Sequence, residues 1–166
     1  MTRKKPWNRI NLPVYSICST DGNGNYNMHI ITYTQAVSMQ PKQFICAIYK
    51  NTKTLSNIQS YPHFVLQLLH AGQYNIVTLL GKESGNQINK MARLQKRKLL
   101  TEWNGFPVLK DSLAVMEMKA FPLQVHSVQE QPDHVLYLCD VIDYINLNEG
   151  EALTLDILRE HKIIRI

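Results

Sequence analysis

Three short stretches of this sequence hold side chains that could do chemistry. "YKNTKT" (residues 49–54) ends an apolar run and then offers Lys50, Lys53 and the hydroxyls of Thr52 and Thr54. Either threonine suits the N-cap of a helix in which Leu55 and Ile58 follow three apart. The first N–H groups of a helix have no partner within it, and the helix dipole favours an anion beside them. With a lysine and two hydroxyls added, the stretch fits a phosphate. A capped helix with solvated lysines uses the same residues. "NYNMHIITYT" (25–34) reads as strand, with Asn27, Ile31 and Tyr33 on one face and Thr32 and Thr34 on the other. Neither face is cleanly apolar, so the strand either meets a polar partner or lies exposed, where Thr and Tyr are simply good strand formers. "GKESGNQINK" (81–90) combines the flexibility of Gly81 and Gly85 with donors on Ser84 and Lys90. It reads as a surface loop or as the third wall of a site.

The elements that must position these residues are mostly short and β-rich. Strands are expected over 13–19, 28–35, 43–49, 63–69, 113–119, 123–129 and 134–145. "DGNGN" (21–25) is a strong hairpin turn, because Gly and Asn tolerate positive φ. The 43–49 run is nearly all apolar, as for a strand covered on both faces. Short helices are expected after Thr52, over 74–80 with Ile76, Leu79 and Leu80 inward, over 87–100, and over 153–160. This number of strands in 166 residues suggests a closed or partly closed antiparallel barrel, since closure removes sticky edges. A doubly wound α/β sheet would need a helix after nearly every strand. One domain over residues 1–166, with a basic N-terminal arm over 1–12, is the expected organisation.

Composition narrows the function classes. No apolar run approaches the roughly 18 residues of a membrane span, and no apolar segment follows the basic N-terminus as a secretory signal would require. A cytoplasmic location is expected. Net charge is +5, which favours an anionic partner: nucleic acid, a membrane surface or a phosphorylated small molecule. On the stretch 90–98, Arg93, Lys96, Arg97 and Lys98 spread around the helix with few aromatics between them, a poor nucleic-acid face. Cys18, Cys46 and Cys139 each sit in an apolar context without C-x-x-C spacing and are expected as buried thiols. The six histidines show no metal-ligand spacing, and His134, beside Asp133 at the start of a strand, is the one to watch.

The ordered set of pieces resembles the flavin reductase-like proteins of the FMN-binding split-barrel class, more narrowly the flavoredoxin-like group. The resemblance runs from about Val14 to Val141. It rests on the Gly/Asn hairpin, Asn27 followed six residues later by the aromatic Tyr33, and the Val37-Ser38-x-x-Pro41 turn. It continues through "TKTLSNI" (52–58), V-x-x-L at 65–68, G-K-x-S-G-x-x-x-x-K at 81–90, "FPVLKDSLA" (106–114) and D-H-x-L at 133–136. Asn89 stands where the family carries an acid, Cys139 where it often carries glycine, and Tyr33 where some relatives carry Trp. The tail "LREHKIIRI" matches only loosely.

The resemblance implies a mainly β, antiparallel split barrel with a few short peripheral helices, binding FMN, or FAD in its place, near a homodimer interface. Asn27 and Tyr33 would line the isoalloxazine side. Thr32 and Thr34 would bond ring edges or ribityl hydroxyls, and Lys53 and Thr54 the phosphate. Ser84 and Lys90 would reach phosphate or ring, and His134, of this or a second subunit, would sit close to the flavin. The implied activity is NAD(P)H-dependent flavin reduction with an unknown electron acceptor, and no residue is expected as catalytic acid, base or metal ligand. Two alternatives stay open: a flavoredoxin-like electron carrier without its own NAD(P)H activity and, more distantly, a basic nucleic-acid-binding barrel.

Overall fold

The computed structural model describes residues 5–124, 126 and 129–165. A first hairpin joins β1 (Tyr15–Thr20) to β2 (Tyr26–Ile31), and a second joins β3 (Thr34–Met39) to β4 (Lys42–Tyr49). Helix α1 (Lys53–Ser60) leads to β5 (His63–Leu68). After a 3-10 turn (Ala71–Ile76) and a π turn (Thr78–Lys82) come α2 (Lys90–Lys96) and a small hairpin of β6 (Leu100–Trp103) and β7 (Phe106–Leu109). The long strands β8 (Ala114–Pro122) and β9 (His134–Asn146) and the short α3 (Leu155–Glu160) complete the chain.

Seven strands form one antiparallel sheet in the order β2-β1-β5-β8-β9-β4-β3. Its inner core draws Ile31 from one edge, Ile48 and Tyr137 from the far side, and Ile17, Phe64 and Met118 from between. Residues from both ends of the order meet, so the sheet is rolled on itself. No ladder joins the edges β2 and β3, which leaves the barrel split. Leu55 and Ile58 of α1 enter the same core and plug one end.

A second core covers the outside of β1 and β5. There Cys18, Val65 and Leu69 pack against Leu80, Leu94, Val108 and Leu158. Buried Gln67 ties this layer to the sheet. Its Oε1 accepts from the Leu109 N–H at 2.6 Å, and its Nε2 lies 3.7 Å from Met28 Sδ. The N-terminal arm is docked as well: Asn11 Oδ1 accepts from the Asp156 N–H, and Arg159 donates to the Asn8 carbonyl. Residues 1–4 of that arm lie outside the described ones.

Several sequence expectations need correction. The run 28–35 is not one strand: β2 ends at Ile31 and β3 begins at Thr34, because the chain leaves one sheet edge for the other. The strand covered on both faces is not β4, in which only Cys46 and Ile48 are buried, but β1 and β5, over which the second core lies. The helix expected over 87–100 has only the seven residues of α2, because Lys98 takes φ +56° and turns the chain into β6. The β6–β7 hairpin was not expected, although Asn104-Gly105, at φ +49° and +77°, is a strong hairpin pair. Part of the strand expected over 123–129 (Val125, Ser127 and Val128) lies outside the described residues. All three cysteines are buried and unpaired, as expected. Among the described residues, no helix is long and apolar enough to cross a membrane.

Gln67→Leu keeps the side-chain volume but leaves the buried Leu109 N–H without its acceptor. It should destabilise the fold by about 1–3 kcal/mol, seen as a lower urea midpoint with an unchanged m-value.

Candidate functional site

The site starts at the first turn of α1. Thr52 Oγ1 accepts from the Leu55 N–H at 3.2 Å and donates to the Tyr49 carbonyl at 2.8 Å, so it caps the helix and ties it to the end of β4. The helix turns Leu55 and Ile58 into the barrel and presents Thr54 and Asn57 to the first hairpin. Asn27 Nδ2 donates to Thr54 Oγ1 at 3.3 Å, and Asn57 Nδ2 to Ser19 Oγ at 3.1 Å, all four groups buried. The loop 81–90 closes over this pair. Gly85 lies so near Asn27 that a methyl group there would overlap Asn27 Oδ1.

Lys90 is buried, and its ammonium donates to the Leu80 carbonyl at 2.7 Å, with its other two N–H donors unbonded among the described residues. Asn89, where an acid was expected, caps α2 by accepting from the Ala92 N–H at 2.9 Å. That is a task an aspartate would perform equally well. Asn27, Lys53 and Lys90 line one open cleft of about 880 Å³, and Thr54 supports it from behind. Ser84 is not in the lining. Its hydroxyl accepts from the Asn86 N–H within its own loop.

A second, smaller pocket of about 140 Å³ holds Thr32, Tyr33 and His134, with His29, Ile31 and Tyr49. The His134 ring lies between Tyr33 (centroids 5.3 Å apart) and Tyr49 (5.2 Å), and its Nδ1 is 2.6 Å from Asp133 Oδ1. His134 thus meets Tyr33 within one chain. Thr34 is not part of this pocket. Its hydroxyl lies 3.1 Å from buried Cys46 Sγ.

The two hollows are joined by β2, on which Asn27, His29 and Ile31 alternate on one face. His29 and Tyr49 were not singled out in the sequence. The available signal for His29 was its place two residues from Asn27 on the same strand face. Burial, and then the nearby Lys90 ammonium, push the His29 imidazole down to about 4. Burial also lowers Lys90 to about 8, with Glu83 opposing the shift. Positive charge is therefore disfavoured along this face until an anion shares it. A phosphate at Lys53 and Lys90 would relieve both groups, and an aromatic pocket edged with hydroxyls suits a flat ring. The donor set fits a phosphorylated ligand that carries a flat ring.

The flavin reductase like domain family matches this sequence over residues 7–160. The chain belongs to that family. A relative in Nostoc sp. (strain PCC 7120), a putative diflavin flavoprotein, is 29% identical over 141 residues. The match covers 84% of this chain but only 23% of that protein, so the chain spans about a quarter of its length. Among solved structures, the NADH:FAD oxidoreductase SgcE6 of Streptomyces globisporus shares the fold with a TM-score of 0.72 at 16% identity, over 90% of this chain and 84% of that one. Flavoredoxin from Methanosarcina acetivorans gives 0.70 at 14% identity, over 88% and 73%.

Two measurements probe the site. Gly85→Ala should force the 81–90 loop off Asn27 and cost about 1–3 kcal/mol of stability, read from denaturant unfolding. For His29 the folded pKa lies below the free value of about 6.5, so between about pH 6.5 and 4 the unfolded chain binds more protons. Wild-type stability should therefore fall on acidification across that window by on the order of 2 kcal/mol more than that of His29→Gln. Urea midpoints at pH 7 and pH 4 give the comparison.

Proposed function

We propose that this chain is an FMN-binding oxidoreductase that takes reducing equivalents from NAD(P)H. The observation that carries the reading is the face of β2. Its Asn27 lines the cleft together with Lys53 at the start of α1, and its His29 and Ile31 line the aromatic pocket together with Tyr33 and His134. In this reading Lys53, the first turn of α1 and the spare donors of Lys90 hold the phosphate. Asn27 and Thr54, fixed by their mutual hydrogen bond, position that end. Thr32 supplies polar groups to the ring edge, and Tyr33, Tyr49 and His134 form its wall. Thr34 and Ser84 act at a distance, by holding their own segments. When bound, the flavin supplies the redox chemistry, while the chain binds, orients and shields it. No side chain is assigned as a catalytic acid or base.

Tyr33 and Tyr49 of the small pocket's lining are exposed, and Val37, Met39, Ile142 and Tyr144 on β3 and β9 are exposed as well. Exposed apolar side chains of this kind support a homodimer in which a second copy covers the ring site. The activity named for the Streptomyces neighbour supports nicotinamide as donor. A second reading, an electron carrier without NAD(P)H activity, is favoured by the Nostoc relative, a much longer diflavin flavoprotein of which this chain matches only a part.

Purified protein incubated with FMN should show the flavin absorbance bands after desalting. The Lys53→Ala, Thr54→Ala double variant should bind FMN about a hundredfold more weakly. Protein that takes up no FMN overturns the flavin reading. Stopped-flow mixing of the loaded protein with NADH or NADPH should bleach the flavin, and absence of bleaching with both selects the carrier.

A further inference from the structure

The positive charge of this chain is concentrated near its start. Of the net +5, four charges lie in residues 1–12, where Arg3, Lys4, Lys5 and Arg9 stand without an acid; the first acidic residue of the chain is Asp21. The structure docks this arm on α3. Pro6 opens a 3-10 turn over Pro6–Asn8, in which the Asn8 N–H donates to the Lys5 carbonyl at 2.9 Å and the Arg9 N–H to the Pro6 carbonyl at 3.1 Å. Arg159 donates to the Asn8 carbonyl at 3.0 Å, and the Leu155 N–H to the Leu12 carbonyl at 2.9 Å. The turn is therefore held in a fixed place against the helix.

Trp7 and Ile10 are 59% and 54% exposed, so the fold leaves both apolar side chains in water. The Lys5 ammonium lies 5.8 Å from the centre of the Trp7 ring, which puts a cation and an aromatic on the same side of the turn. Arg9 is exposed as well, and so are Lys162 and Arg165, which follow α3. Asp156 of that helix is paired with Arg159. Neither the cleft nor the aromatic pocket draws a described residue of the arm into its lining, so this surface is separate from the candidate site. A nucleic acid would use the cations and one ring but would gain nothing from Ile10. An anionic lipid surface uses all of them. Its headgroups attract Lys and Arg, while Trp7 and Ile10 enter the boundary between headgroups and acyl chains.

We propose that the N-terminal arm, carrying Trp7 and Ile10 beside Lys5 and Arg9, docks the protein on an anionic lipid surface. The contact is peripheral. Each cation contributes about fivefold in affinity, and salt screens that share as it shortens the Debye length. Bound flavin is not required for it.

The test is sedimentation of the full chain with vesicles of phosphatidylcholine, alone or mixed with phosphatidylglycerol, at about 0.1 M salt. The protein should bind the anionic vesicles and not the neutral ones, and should be released at about 1 M salt. Its tryptophan emission should shift to the blue on binding. The Lys5→Gln, Arg9→Gln double variant should bind about 25-fold more weakly. Trp7→Ser, which leaves only Trp103, should lose the emission shift and bind about tenfold more weakly. All three substituted side chains are exposed, so the urea midpoint of each variant should match wild type. Absence of binding to the anionic vesicles overturns the proposal, as does equal binding of wild type and both variants. Tighter binding to a single-stranded oligonucleotide than to anionic vesicles, weakened in the same variants, assigns the arm to nucleic acid and also overturns it.

Discussion

Only Thr32 and Tyr33 separate β2 from β3, yet these two strands stand first and last in the seven-strand order. A flat sheet would place them about 29 Å apart, six spacings of roughly 4.8 Å. The three peptide steps from Ile31 to Thr34 reach at most about 11 Å. The sheet therefore has to roll until its edges nearly meet. The rest of the architecture follows from that short link. Rolling encloses the inner core, and the unpaired gap between the edges is where the Thr32–Tyr33 segment lines a pocket. The Tyr33 carbonyl is held by the Ala47 N–H at 2.9 Å, across the gap from β2.

Once rolled, the barrel needs an end cap, and α1 supplies it. The helix fills the opening with Leu55 and Ile58, and its first turn is thereby brought against β2. Asn27 and Thr54 are buried polar groups and satisfy one another, since burial without a partner would cost each of them about 1–3 kcal/mol. Gly85 lets the 81–90 loop close over the pair with no side chain between. Burial lowers the His29 pKa, and Lys90, itself in a buried position, adds to the shift with its positive charge. The packing that stabilises the barrel end thus also sets Lys53 and Lys90 beside Asn27 in one cleft. Stability and binding chemistry share the same few side chains here.

Much of the fold was legible in local pattern. The Asp21–Asn25 turn, a threonine cap at the start of α1, the strands β8 and β9 and the buried cysteines all follow from neighbours within a few residues. The strand break after Ile31 was not legible, because Thr and Tyr favour strand whether or not the chain stays in the sheet. The double coverage of β1 and β5 was equally hidden. For Cys18 of β1 it arises from residues far along the chain, with Leu80, Val108 and Leu158 in the same core. Of the candidate site, Asn27, Lys53, Thr54 and Lys90 converge, and Tyr33 meets His134. Thr34 and Ser84 turn to local partners instead, because a hydroxyl at a strand start or in a tight loop finds its nearest polar atom first.

The sequence by itself determined which residue types were available: a lysine and threonines at a helix start, a polar strand, a glycine-flanked loop and a histidine beside an aspartate. These are properties of short segments, set by capping, turn chemistry and periodicity. Only the tertiary structure decided which of them share a space. It divided them between an amide-rich cleft and an aromatic pocket, with Asn27 between the two. It also turned the Lys90 ammonium toward the Leu80 carbonyl and drew His29 into the site. The reason is physical. Distances between segments far apart in the chain depend on how the sheet rolls, and that is fixed by a two-residue link and by core packing on both faces, neither of which leaves a periodic trace in the sequence.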